Sequence, residues 1–90
     1  MTNGEISLRL LEFIRENFLS GDLKSEVNES TPLLDWGVLN SMNLASLLNF
    51  IRADLGCPVP VANINTQNFK SVNDIAMMVK QLSIVASIGE

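Results

Sequence analysis

The feature that most constrains the fold is a stripe of apolar residues between positions 41 and 55. They recur at the spacing of one face of an α-helix: Leu44, Leu47, Leu48, Ile51 and Leu55. Gly56 suits the left-handed position that ends many helices, and Pro58 prevents continuation. Ser41 stands where this helix begins, as an N-cap or first-turn residue whose side-chain oxygen can accept a bond from a free backbone N–H. The pattern predicts one amphipathic helix from about 41 to 55.

Two further segments show helical spacing of apolar residues. The first runs from about 5 to 19 and alternates its apolar stripe with charged residues. The second has Ser71 as a potential N-cap, with Asp74 three residues later as a weaker capping partner. Its apolar period continues to Leu82. Both segments are therefore predicted to be core-packing helices.

The rest of the chain completes an all-α prediction. A single irregular turn or a short helix is expected at 61–65, and Pro60 argues against a strand there. Residues 83–90 are expected to fray. We predict a single domain over 1–90, folded as a small four-helix bundle with three main helices plus one short helix. The predicted core contains Ile6, Leu10, Phe13, Ile14, Leu44, Leu47, Leu48, Ile51, Phe69, Ile75 and Val79.

The connection from about 20 to 40 is unusually long for a domain of 90 residues. Such connections are usually functional or disordered. Order is favoured by the apolar side chains between 33 and 39, because exposing them costs about 25 cal/mol per Å². Thr31 and Pro32 resemble the cap and first residue of a single helical turn. Trp36 is more typical of a loop anchor than of a cofactor platform, although its place before Ser41 keeps contact with a bound group open.

Charge and composition exclude several function classes. The net charge of −4 argues against a nucleic-acid partner, since such proteins cluster Lys and Arg. With no histidine and one cysteine, Cys57, the chain offers no plausible metal site and no evident base beside a nucleophile. We therefore expect a non-enzyme, with Cys57 as a small buried or half-buried apolar residue. The absence of a secretory signal and of a membrane-spanning stretch predicts a cytoplasmic protein without a membrane partner.

The segment from Pro32 to Gly56 carries a family resemblance. It contains Asn40-Ser41-Met42, preceded by Pro32-Leu33-Leu34-Asp35-Trp36-Gly37-Val38-Leu39. This register resembles the acyl carrier and peptidyl carrier proteins, whose Asp-Ser-Leu motif opens the second helix. The resemblance extends from about Ile6 to Leu82, and the Asn68-Phe69 and Ser71-Val72 segment resembles the fourth-helix entry of discrete aminoacyl carriers.

The resemblance implies a stand-alone carrier that holds an aminoacyl or acyl group as a thioester. Ser41 would carry a 4'-phosphopantetheine arm, donated by coenzyme A through a phosphopantetheinyl transferase. An adenylating ligase would load the arm, and a downstream tailoring enzyme or acyltransferase would receive the cargo, in a biosynthetic pathway of specialised metabolism such as antibiotic biosynthesis. The carrier itself is expected to be a monomer. Expected contacts of the arm or of partners are Trp36, Asn40, Met42, Asn43, Ser46 and Asn49.

Two departures from the family pattern bear on the partners. Asn40 replaces the usual Asp, and the outer face of the 41–55 helix has few charges near its start. Residues 1–35 hold seven acids and three bases, whereas residues 36–90 hold three of each. Recognition is therefore expected to rest on apolar and hydrogen-bonding groups, with exposed Met42 packing against partners. Two alternatives remain open: a non-catalytic helical adaptor in which Ser41 is only a cap, and a fatty-acid or polyketide carrier.

Overall fold

The computed structural model describes the backbone of residues 3–88 and the side chains of residues 4–83. Within that range the protein is all-helical, with no β-strand. The α-helices are α1 (Asn3–Phe18), α2 (Leu23–Glu26), α3 (Ser41–Asp54) and α4 (Val72–Ile88), and a single 3₁₀ turn covers Val61–Asn63. None of the helices in these residues has both the length and the apolar character needed to cross a lipid bilayer. The predicted all-α bundle of three main helices plus one short helix is confirmed, with α2 as an additional short helix.

One hydrophobic core joins the three long helices. α1 packs mainly against α4 and makes a smaller contact with α3. Eight of the predicted core residues are fully buried: Ile6, Leu10, Ile14, Leu47, Ile51, Phe69, Ile75 and Val79. The other three, Phe13, Leu44 and Leu48, are partly buried against this core. Phe13 stacks on Phe50 with ring centroids 4.3 Å apart, which adds an aromatic contact between α1 and α3.

The end of α3 follows the prediction closely. The helix ends at Asp54, Leu55 is its C-cap, and Gly56 follows with a φ of 66°. A side chain at this left-handed position would be strained, so glycine is the residue that fits there. The backbone N–H of Cys57 bonds the Ile51 carbonyl and helps to close the last turn. Cys57 itself is only 5% exposed, as predicted.

The structure differs from the sequence prediction in two helical segments. α2 lies inside the connection from 20 to 40, where no helix was predicted, because four residues are too few to show a helical period. α4 continues to Ile88, beyond the predicted end at Leu82. The last two residues of the predicted frayed tail lie outside the described residues, and the fraying of its helical part stays a prediction.

Candidate functional site

Ser41 is the first residue of α3, but it is not the cap. Asn40 occupies the N-cap in an extended conformation, with φ −144° and ψ −177°. Its side-chain oxygen accepts hydrogen bonds from the backbone nitrogens of Met42 at 2.9 Å and Asn43 at 3.1 Å. Of the two positions predicted for Ser41, the structure therefore shows the first-turn one. Its exposed hydroxyl forms no hydrogen bond within the part of the chain that the structure describes.

Asn43 makes two further hydrogen bonds that hold the first turn of α3. Its side-chain oxygen accepts the backbone N–H of Asn40 at 2.6 Å, which completes a reciprocal capping box. Its amide nitrogen donates to the carbonyl oxygen of Val38. Asn43 is half-buried, and both ends of its amide are used within the protein. The structure thus gives a structural role to a residue predicted as a partner contact.

Buried apolar residues hold the loop before Ser41 in place. Leu33, Val38 and Leu39 are all buried in the core. The Leu33 N–H donates to the carbonyl of Lys70 at 2.8 Å, and the Val38 N–H donates to the carbonyl of Leu33 at 2.9 Å. Trp36, by contrast, is 50% exposed. The prediction that Trp36 anchors the loop is therefore wrong, because Leu33 and its buried neighbours occupy the core and the indole lies at the surface.

The turn that contains Trp36 has helical character. The Trp36 N–H donates to the carbonyl of Pro32, and the Gly37 N–H donates to that of Leu34. Gly37 has a φ of 72°, which reverses the chain toward α3. Thr31 is buried and its hydroxyl oxygen accepts the Asn28 N–H at 2.9 Å, so it fixes the preceding turn. A short turn beginning near Pro32 is thus present as predicted.

An open apolar hollow of about 360 Å³ lies against Ser41. Its walls come from the loop, from the start of α3 and from the segment after the 3₁₀ turn. The lining residues are Leu34, Leu39, Asn40, Ser41, Leu44, Ile64, Asn65, Thr66 and Phe69. The wall made by residues 64–66 was not predicted, because these residues lie far from Ser41 along the chain and carry no motif.

Two large apolar side chains near these segments are exposed. Met42 follows Ser41 directly and is 84% exposed, as predicted from its place off the buried stripe. Val61, in the 3₁₀ turn before the hollow's third wall, is 85% exposed. Apolar surface of this kind is often used in recognition. Val61 was not among the predicted contacts, although an apolar residue directly after Pro60 at a predicted turn was an available signal.

The remaining predicted contacts lie further along the outer face of α3. Ser46 and Asn49 are exposed, and the Asn49 side-chain oxygen accepts a bond from the Arg52 guanidinium at 2.8 Å. The hollow is lined without a charged side chain, so its surroundings are apolar and hydrogen-bonding. No group of acids and Cys able to hold a metal ion occurs among residues 4–83. The site therefore presents an alcohol, an apolar wall and amides.

Comparisons with known proteins identify one similar carrier protein and one similar solved chain. No family model matches the chain. It is 26% identical over 74 residues to the "Probable acyl carrier protein PigG" of Serratia sp. (strain ATCC 39006), an alignment that covers 82% of this chain and 84% of that protein. The resemblance to acyl carrier proteins is confirmed by this similarity. The chain also resembles a chain from the "Crystal structure of FAD-dependent dehydrogenase", with 32% identity, a TM-score of 0.74, and coverage of 79% of this chain and 99% of that chain.

The residues around Ser41 would fit a covalent phosphopantetheine arm. The hydroxyl is exposed and makes no hydrogen bond with the residues that the structure describes, so none of these bonds would compete with an incoming phosphoryl group. The apolar hollow begins at the same residue and offers a surface for the less polar part of an arm. Residues Leu39 and Leu44 would contact an attached group from opposite ends of the turn, since both line the hollow.

Proposed function

We propose that this protein is a stand-alone carrier that holds an aminoacyl or acyl group as a thioester on a 4'-phosphopantetheine arm attached to Ser41. The observation that carries the proposal is the exposed Ser41 hydroxyl at the first position of α3, beside an apolar hollow, in a chain that is similar to a probable acyl carrier protein. The chain contributes presentation and recognition, and its partner enzymes contribute the chemistry. The protein acts as a monomer in the cytoplasm.

Attachment of the arm is a phosphoryl-group transfer. The Ser41 oxygen attacks the phosphorus that bears pantetheine in coenzyme A, and an O–P bond forms. The bond from that phosphorus to the bridging oxygen of the pyrophosphate breaks, so adenosine 3',5'-bisphosphate leaves. A base of the phosphopantetheinyl transferase takes the hydroxyl proton, because the carrier has no histidine and no titratable side chain lines the hollow. Mg²⁺ on the transferase stabilises the charge of the transferring group.

The bound arm supplies a terminal thiol that forms a thioester with the cargo. An adenylating ligase joins the acid to the AMP part of ATP with release of pyrophosphate. The thiol then attacks the acyl carbon of this adenylate, and AMP leaves as the thioester forms. A downstream tailoring enzyme or acyltransferase of a specialised-metabolite pathway then takes the cargo. Because the similar solved chain comes from a crystal structure of an FAD-dependent dehydrogenase, an enzyme of that class is the tailoring partner to test first. It would take two hydrogens from the tethered cargo and reduce FAD to FADH₂.

The uncharged lining of the hollow and the exposed Met42 favour apolar recognition of these partners. Antibiotic biosynthesis is one setting in which such discrete carriers would serve. A fatty-acid or polyketide carrier differs only in cargo, and the geometry at Ser41 fits it equally. A helical adaptor is less well supported, because Asn40 already caps α3 and a cap is the role that an adaptor would give to Ser41.

The proposal is tested by loading. The purified protein is converted with coenzyme A and a broad-specificity transferase, then incubated with ATP, candidate adenylating ligases and candidate acids. Intact mass should show first the arm and then a cargo that hydroxylamine removes, since hydroxylamine cleaves thioesters. A protein that acquires the arm but is loaded by no ligase would contradict the aminoacyl or acyl carrier function. One that acquires no arm would contradict the role of Ser41.

A further inference from the structure

The residues on both sides of Ser41 are fixed by hydrogen bonds, whereas its hydroxyl makes none with any of the residues that the structure describes. Before it, the Asn40 N–H is held by the Asn43 side chain. After it, the backbone nitrogens of Met42 and Asn43 are held by the Asn40 side chain. The backbone of the serine therefore has a set position, and only rotation about its side-chain bond remains.

Asn43 makes the contact that reaches beyond the helix. Its amide nitrogen donates to the carbonyl of Val38, five residues earlier in the loop. Val38 and Leu39 are buried in the core. Asn43 therefore joins the first turn of α3 to a part of the loop that cannot move freely. A simple capping box needs only the contact with Asn40, so the bond to Val38 has no part in capping.

We propose that Asn43 is a positioning residue for the modification of Ser41, and this rests on the proposed function. Its hydrogen bond to the Val38 carbonyl fixes the orientation of the first turn of α3. That orientation sets the direction in which the Ser41 side chain points from the protein surface. In-line attack on phosphorus requires the oxygen, the phosphorus and the leaving oxygen to be aligned. Displacement of a reacting atom by about 1 Å can lower a rate by about 100-fold. The hydrogen bonds of Asn43 thus supply alignment, and Asn43 itself need not contact coenzyme A.

Two substitutions separate the contact with Val38 from the cap. Asn43→Asp keeps an oxygen that accepts the Asn40 N–H, but it places a second carboxylate oxygen against the Val38 carbonyl, where a donor stood. An acid in the first turn is also favoured by the helix dipole, so the helix should persist. Asn43→Ala removes both contacts. The matched control is Asn73→Asp, which makes the same substitution at an exposed residue in the first turn of α4 that does not line the hollow.

The experiment measures kcat and KM for phosphopantetheine transfer from coenzyme A to each variant, with the carrier as the varied substrate. Asn43→Asp and Asn43→Ala should lower kcat by about 10- to 100-fold, with KM changed by less than about threefold. Asn73→Asp should stay within about threefold of wild type in both. Reactions are run at a temperature well below the thermal unfolding midpoint of each variant, so that loss of stability alone does not change kcat.

Either of two results overturns the proposal. One is a kcat for both Asn43 variants within about threefold of wild type. The other is an effect confined to KM, which would make Asn43 a docking residue or show that the added charge disturbs binding. Failure of the proposed function looks different, because wild type itself would then acquire no arm under the same conditions.

Discussion

The side-chain oxygen of Asn40 lies 2.9 Å from the backbone nitrogen of Met42, so the residue before Ser41 caps α3 and the serine does not. This arrangement separates two tasks that the sequence left combined in one residue. Asn40 satisfies free N–H groups at the helix start, and Ser41 keeps its hydroxyl available. Chemical modification of Ser41 therefore need not disturb the helix that presents it.

The separation predicts different stabilities for two alanine variants. Asn40→Ala should lower the free energy of unfolding by about 0.5–2 kcal/mol, because it removes the cap. Ser41→Ala should change it by less than about 0.5 kcal/mol, the usual range for an exposed residue without special contacts. Denaturant unfolding of both variants at one pH gives the comparison. A larger loss in Ser41→Ala than in Asn40→Ala would contradict the assignment of the cap.

Restoring the acid of the family motif should be tolerated. In Asn40→Asp the carboxylate can accept the same two backbone bonds, and its charge gains from the helix dipole by about 0.3–1 kcal/mol. Transferase modification should persist, and the free energy of unfolding at neutral pH should not fall. Intact mass and denaturant unfolding check the two parts. Complete loss of modification would show that the local geometry departs from that of the family.

Recognition by the loading ligase should depend on Met42 more than on charge. Screening between about 0.05 and 0.5 M salt removes most attraction between exposed charges, whereas it leaves apolar contacts largely intact. We expect Met42→Ala and Met42→Glu to slow loading of the holo protein more than that change in salt does. Met77→Glu is the control, because Met77 is an exposed methionine on α4, outside the turn of α3 that presents Ser41.

The opposite dependence on salt and on Met42 would contradict this prediction. A sharp loss of loading with salt, together with indifference to Met42, would move the docking surface to the acidic first third of the chain. Seven of the ten acidic residues lie in residues 1–35.

Cys57 should not compete with the arm for thiol reagents. Burial raises the pKa of its thiol, and a hydrogen bond with Ser83 opposes that shift only in part. Little thiolate forms near neutral pH, so iodoacetamide should label the arm of the holo protein rapidly and Cys57 slowly. Ser41→Ala, which has no arm, should react only after denaturation. Rapid labelling of native Ser41→Ala would show that Cys57 is accessible.

Because the pKa of the Cys57 thiol is raised by burial, the free energy of unfolding should depend on pH. The buried neutral thiol contributes fully at pH values below the ordinary thiol pKa. This contribution is lost as the pH rises through the raised value in the folded protein. The stability of wild type should therefore fall toward that of Cys57→Ala at alkaline pH, as thermal unfolding across the range would show. A constant difference between the two proteins would contradict burial of the neutral form.

A feature could be predicted from the sequence where the interactions that produce it are local along the chain, and it could not where they join distant residues. Leu47 and Ile51 were predictable as core because helical spacing is a local signal. The cap was ambiguous, since Asn40 and Ser41 are both good N-cap residues and only backbone geometry decides between them. The exposure of Trp36 depends on what else fills the core. The hollow depends on Thr66 and Phe69 meeting α3, which no local pattern encodes.

The most direct test of the central claim is the site of phosphopantetheine attachment. Wild type and Ser41→Ala are incubated with coenzyme A and a broad-specificity transferase, and the products are compared by intact mass and by peptide mapping. Wild type should gain the mass of one arm on the peptide that contains Ser41, and folded Ser41→Ala should gain none. An unmodified wild type, or an arm on Ser41→Ala, would contradict the account.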